Sequence, residues 1–322
     1  MIVRHSLPEL PGLLDEYGAG SPFVIASERW SDLDLGVEPA GRWTEVPTDR
    51  IPEVAAQTRD AAVLLAVGGG SAIDLAKAVS AATGLPLVSV PTTYSGAEWT
   101  PFFGIRDPGK RMRGGGGGAN LAAIVYEPAL TLDLPRAETV GTAMNALAHC
   151  AEALYVKGRN AEGDRWALEG ARLIAEALPR VVAEPRDRPA REQLFHGAEA
   201  GGRALAGAGL GLGHAMAQAL GGRYGLPHGA MNALCLPPAL RFNDPVAHEE
   251  IARFGAAMGT DDAVAGTEEL ASLGEFRPLR ELGVPEDDLD EVAAAVAVRP
   301  GAQMNPRPAT PVEIAELLRT VY

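Results

Sequence analysis

Ala62-Val-Leu-Leu-Ala-Val67, Gly68-Gly-Gly-Ser71 and Ala72-Ile-Asp-Leu-Ala-Lys-Ala-Val-Ser-Ala-Ala82 follow one another without a break. The first run is short, apolar and partly β-branched, which predicts a buried strand. The last has helical period and ends near Gly84. Between them lies a turn whose glycines let the backbone approach a ligand, at a helix start where N–H groups and the helix dipole favour an anion. The turn is neither a Gly-x-Gly-x-x-Gly fingerprint nor a Walker loop, since no Gly-Lys-Ser/Thr follows. The stretch reads as one unit of a parallel α/β sheet with a phosphate cradle.

The same alternation extends on both sides. Ser21-Pro-Phe-Val-Ile-Ala-Ser27 predicts a strand, the segment from Pro52 a helix, and Leu87-Val-Ser-Val90 and Ala123-Ile-Val-Tyr126 two further strands. Pro91-Thr-Thr-Tyr-Ser-Gly96 supplies hydroxyls at a strand's end, where α/β sheets bind their ligands. After Leu134-Pro135 the pattern becomes helical, as in 161–178 and 191–208. The expected fold is therefore an α/β Rossmann-like nucleotide-binding domain over 1–134, followed by an all-α domain over 135–322. Arg113 to Gly118, with its five consecutive glycines, is expected to form a mobile loop, because glycine loses the most freedom on ordering.

At 322 residues the chain has room for two cores, and 47% hydrophobic content is ordinary for a globular protein. A formal charge of −14 argues against nucleic acid or an anionic membrane as the main partner. No apolar run approaches the ~18 residues of a membrane span, and the N-terminus lacks the pattern of a secretory signal. Two cysteines in apolar helical patterns, Cys150 and Cys235, read as buried thiols of a cytoplasmic protein.

Asn145, His149 and Glu152 fall at i, i+4 and i+7, which stacks them along one helix face. His214 and Gln218 share a second face, and His228 follows fourteen residues after His214. Half of the six histidines thus lie in two short stretches, a concentration that points to a site rather than to core packing.

Gly68-Gly-Gly-Ser-Ala-Ile-Asp-Leu-Ala-Lys77 and Val90-Pro-Thr-Thr-Tyr-Ser-Gly-Ala-Glu98 resemble the iron-containing alcohol dehydrogenase superfamily. Within it the chain looks most like the maleylacetate reductases, in Thr92 to Pro101, Val125 to Thr131, Asn145 to Tyr155, Gly221 to His228 and Asn305 to Thr310. The resemblance implies the family fold, a Rossmann-like domain and a helical domain with the active site in the cleft, as in dehydroquinate synthase-like proteins. It implies that Gly68, Gly69, Gly70 and Ser71 hold the pyrophosphate of NADH or NADPH. Thr92, Thr93 and Ser95 would contact the cofactor, with Lys110 a further candidate. It also implies that the four positions holding Fe²⁺ or Zn²⁺ in metal-dependent members are here Asn145, His149, His214 and His228. The neutral amide removes the only anionic ligand, so affinity for a dication should fall, and no metal is expected. Maleylacetate reductases resemble the chain in carrying Asn at this position.

The resemblance departs at Gln218, where the family usually has a histidine able to relay a proton; an amide cannot titrate. The expected activity is hydride transfer from NADH or NADPH to an enone or keto acid, maleylacetate to 3-oxoadipate in aromatic degradation. His149, His214 and His228 would be the donors to the developing oxyanion, with Asn145 orienting. Arg203, Arg223 and Arg241 flank the site stretches and are candidate clamps for a dicarboxylate, each with a plainer reading as a solvated helix arginine. The strand ending at Ser27 lacks an acidic residue, so either cofactor is allowed, and Arg29 is close enough in sequence to favour NADPH. The partner is a small molecule, and the family suggests a homodimer. Alternatives are a metal-dependent alcohol dehydrogenase, a repurposed reductase of specialised metabolism, and a non-catalytic dinucleotide-binding protein.

Overall fold

The computed structural model describes residues 1–18 and 20–322. Two compact units are present: Met1–Thr93 with Ala97–Thr131, and Tyr94–Gly96 with Leu132–Tyr322. The tripeptide 94–96, which a boundary at 134/135 leaves with the first domain, clusters with the helices.

The first unit carries strands β1 (Ile2–Arg4), β2 (Phe23–Ala26), β3 (Gly41–Trp43), β4 (Leu64–Gly68), β5 (Leu87–Pro91), β6 (Phe103–Arg106), β7 (Met112–Gly116) and β8 (Leu121–Val125). Helices α1 (Leu10–Glu16), α2 (Ile51–Gln57) and α3 (Gly70–Thr83) connect them. Six strands form a parallel sheet in the order β1-β8-β5-β4-β2-β3. Strand alternation divides the apolar run of β4 between two cores. Leu65 and Val67 pack with Leu10, Leu13 and Leu14 of α1. Leu64 and Ala66 pack with Ile73, Ala76 and Val79 of α3. A strand covered on both faces has no polar side, and its sequence is accordingly a continuous apolar run.

The glycine segment corrects the expectation of a mobile loop. Residues 112–116 are β7, paired antiparallel with β6 through Phe103–Gly116, Gly104–Gly115 and Ile105–Gly114. The rings of Phe102 and Phe103 lie over it: a Cβ at Gly117 would come within 2.9 Å of Phe102, and one at Gly116 within 2.9 Å of Phe103. Absent side chains make room for the aromatic cover, and ladder bonds offset the entropy of ordering glycine.

The second unit is helical: α4 (Arg136–Ala153), α5 (Ala161–Ala183), α6 (Arg188–Ala208), α7 (Leu212–Tyr224), α8 (His228–Met258), α9 (Ala263–Ser272), α10 (Leu289–Ala297), α11 (Pro300–Met304) and α12 (Pro311–Arg319). Helix α4 is buried along most of its length and is flanked by α5, α6 and α8. Two close approaches require glycine. A Cβ at Gly201 of α6 would lie 2.7 Å from the Ala146 carbonyl oxygen, and one at Gly229 of α8 only 2.4 Å from the Gly141 carbonyl carbon. The second contact brings the start of α8, and hence His228, against α4. Cys150 and Cys235 are buried free thiols, and burial raises the pKa of both. Among the described residues no helix is long and apolar enough to cross a membrane.

Candidate active site

In the first unit β4 and β5 end side by side, with the Thr92 N–H donating to the Gly68 carbonyl at 3.0 Å. Gly69 is the N-cap of α3, so the amides of Gly70 and Ser71 belong to its first turn and have no helical acceptor. Gly68 has φ +150°, and a Cβ there would lie 2.8 Å from the Ala72 methyl. A Cβ at Gly69 would lie 2.9 Å from Thr93 Cγ2. The Thr93 hydroxyl oxygen is buried beside this turn without a protein partner. Free first-turn amides, an unpartnered hydroxyl and glycines that a Cβ would crowd out fit a bound pyrophosphate. Ser27, at the end of β2, lies against Gly68, while the Arg29 guanidinium stacks 4.9 Å over the Trp30 ring. Lys110 sits exposed in the β6–β7 turn with φ +64°, its N–H bonded to the Asp107 carbonyl.

In the second unit the polar face of α4 meets the starts of α7 and α8. Asn145, His149 and Glu152 are 3%, 4% and 0% exposed, so none of them is a solvated face residue. Glu152 receives the Gly211 N–H at 2.6 Å, the His214 N–H at 3.1 Å and His214 Nδ1 at 2.7 Å. The carboxylate thereby caps α7 and fixes the His214 ring with Nδ1–H as donor. The rings of His149 and His214 stack with centroids 4.6 Å apart, and His228 is tilted 5.9 Å from His214.

Asn145 joins three elements. Its Nδ2 donates to the Ser95 carbonyl at 2.7 Å, which turns Oδ1 inward. There Oδ1 accepts from Asn232 Nδ2 at 2.6 Å and faces His214 Nε2 at 3.2 Å. Asn232 Nδ2 also reaches His228 Nε2 at 3.0 Å. The structure thus brings Asn145, His149, His214, His228 and Ser95 together within one unit. It adds Asn232, to which the sequence reading gave no part in the site and which is detectable as the i+4 partner of His228, and it makes Glu152, already in the row with Asn145 and His149, the capping carboxylate. Gln218 is half-buried one turn beyond His214.

The arginines proposed as clamps are committed elsewhere. Arg203 pairs with Glu199 at 2.8 Å and lies over Trp166, Arg223 pairs with Asp288 and Glu291, and Arg241 with Glu268. Their solvated-helix reading is the one the geometry favours.

Burial, reinforced by the electrostatic influence of neighbouring His214 and His228, holds the His149 imidazole well below its usual pKa. Between the folded and unfolded values only the unfolded chain takes up this proton. Stability is therefore expected to fall as pH drops below about 6.5, by up to ~1.4 kcal/mol per pH unit from this one group. Urea unfolding at pH 7.5 and 5.0 should show that loss in wild type, and a smaller one in His149→Gln.

Residues 3–125 match the model of the family described as iron-containing alcohol dehydrogenase, and 139–322 that of the C-terminal part of the Fe-containing alcohol dehydrogenase family. A maleylacetate reductase of Burkholderia cepacia is 38% identical over 80% of this chain and 73% of its own. One from Sphingobium indicum is 36% identical over 85% and 78%. The crystal structure of maleylacetate reductase from Agrobacterium tumefaciens superposes with a TM-score of 0.88 at 30% identity, covering 100% of this chain and 95% of that one.

Proposed function

The chain belongs to the iron-containing alcohol dehydrogenase family, and on that premise we propose that it is an NAD(P)H-dependent reductase of the maleylacetate reductase type. The observation that carries this reading is Asn145, whose amide ties Ser95 to Asn232 and faces His214 among the three histidines.

A bound dihydronicotinamide would supply hydride to an electron-poor carbon of the substrate. In an enone such as maleylacetate, hydride forms a C–H bond at the carbon β to the ketone, and the π pair moves onto the ketone oxygen. A proton then joins the α carbon to give the saturated keto diacid. The residues of this chain have three tasks. Gly70 and Ser71 offer amides to the dinucleotide phosphates, with Thr92, Thr93 and Ser95 as further contacts. His149 and His228 offer hydrogen bonds to the developing oxyanion, and His214, whose Nδ1–H is given to Glu152, fixes the cluster beside them. Glu152 and Asn232 hold two of those rings in place, and Gln218 takes no part in proton transfer.

We read the site as working without a bound cation, and the donor set supports this. The single oxygen ligand is a neutral amide already accepting from Asn232 and facing His214, and the Asn232 amide directs hydrogens, not lone pairs, at His228 Nε2. That arrangement does not fit a divalent ion, which needs converging lone pairs. With all three flanking arginines committed to carboxylates or to the Trp166 ring, a dicarboxylate substrate must find its cations elsewhere in the site. A homodimer, measurable by sedimentation velocity, completes the reading.

Oxidation of NADH and NADPH by maleylacetate should be followed on EDTA-stripped protein and after adding Fe²⁺ or Zn²⁺. Turnover indifferent to both treatments is expected. Activity only with metal would overturn the cation-free reading, and no turnover in any state would overturn the maleylacetate assignment.

A further inference from the structure

Arg191 of α6 is 1% exposed, yet among the described residues it forms no ion pair with a carboxylate. Its guanidinium is held by neutral acceptors alone: Nε donates to the Pro185 carbonyl at 2.9 Å, and Nη1 to the Tyr94 hydroxyl and to Thr139 Oγ1, each at 3.2 Å. A buried cation without a counter-ion is costly, so its position calls for a reason beyond packing.

The reason lies in what Tyr94 carries. Tyr94–Gly96 has no regular structure of its own, but is fastened to the helical unit at successive residues. The Tyr94 N–H donates to Thr142 Oγ1 at 3.3 Å, and the Ser95 carbonyl receives Asn145 Nδ2 at 2.7 Å. Gly96, at φ +69°, lies so close that a Cβ would be 3.4 Å from both Gly202 Cα and His149 Nδ1. The Tyr94 ring meets Phe195 edge-on with centroids 4.9 Å apart. Arg191 supplies the far anchor of this segment, gripping the tip of the one long side chain it has. The Ser95 hydroxyl, buried without a protein partner, is aimed by the same segment.

We propose that Arg191 is a positioning residue that acts through Tyr94 to set the conformation of 94–96, and thereby the affinity for the dinucleotide. The proposal rests on the reading of Thr92, Thr93 and Ser95 as cofactor contacts. A charge-assisted bond to a phenol is geometrically demanding, and the planar guanidinium reaches Pro185, Tyr94 and Thr139 together, as a lysine ammonium cannot.

The test uses Tyr94→Phe, which removes one hydroxyl and keeps the ring with its contact to Phe195, with Arg191→Lys beside it. NADH and NADPH affinities are read by fluorescence titration, and cofactor KM and kcat with maleylacetate. In both variants the dissociation constant and cofactor KM are expected to rise about tenfold. At saturating cofactor kcat should stay within about twofold of wild type, the mark of lost binding rather than lost chemistry. Unchanged cofactor affinity in Tyr94→Phe overturns the proposal, as does a parallel fall in kcat with affinity intact. Wild-type protein that binds a dinucleotide but reduces no maleylacetate defeats the functional reading alone, and the affinity comparison still decides the role of Arg191.

Discussion

Asn145→Asp is expected to lower metal-free reductase turnover by about 100-fold or more while creating a site for a divalent cation. The amide and the acid are nearly the same size, so the effect is one of hydrogen-bond polarity. Asn145 donates to the Ser95 carbonyl with one end and accepts from Asn232 with the other. A carboxylate has no hydrogen to donate, and its second oxygen would be set against the Ser95 carbonyl oxygen at the present 2.7 Å. The segment 94–96 should move, and the hydrogen-bonded cluster should lose its link to Ser95. The same change places a negative charge beside three imidazoles, the donor set that the family resemblance associates with Fe²⁺ or Zn²⁺. Equilibrium dialysis with Zn²⁺ would read the gain directly, and turnover after EDTA the loss. A variant that keeps wild-type metal-free activity would show that the Ser95 contact is dispensable and that the amide has no organising role.

Glu152→Ala should be the most destabilising single change in the site. The carboxylate is fully buried and receives two backbone N–H groups at the start of α7 together with the His214 ring. Removing it leaves those donors buried without an acceptor, a loss of about 3–5 kcal/mol in urea unfolding. Glu152→Gln separates the structural part from the chemical part. The amide retains the shape and one acceptor oxygen, so much of the stability should survive. It cannot serve all three donors, so the His214 ring loses its fixed orientation and kcat should fall more than stability does. Equal stability for wild type and Glu152→Ala would mean that α7 is held by its apolar core alone, the cluster that includes Leu212, Met216 and Leu220.

Most of the fold was legible in local pattern. The apolar run 62–67, the glycine turn and the helix behind it needed no tertiary information, because a parallel strand covered on both faces must be apolar at every position. The long helices were equally plain. The short strands β1, β3, β6 and β7 were not, since three to five residues carry too little periodicity to separate a strand from a loop. The glycine run misled for a physical reason: isolated glycine favours disorder, and only the pairing with β6 and the cover from Phe102 and Phe103 make it a strand.

By itself the sequence determined which chemistry-bearing residues exist and on which helix faces they stand. Spacing placed Asn145, His149 and Glu152 in one row and gave the three histidines, because helical period is a local property of the backbone. Only the tertiary structure decided what each group does with its hydrogen bonds. It turned Asn145 from a missing ligand into a strut between Ser95 and Asn232, made Glu152 the cap of α7, and tied the three flanking arginines to partners of their own. It also buried Arg191 against Tyr94 across 97 residues of chain. Hydrogen-bond partners are set by which elements pack together, and one-dimensional spacing carries no record of that packing.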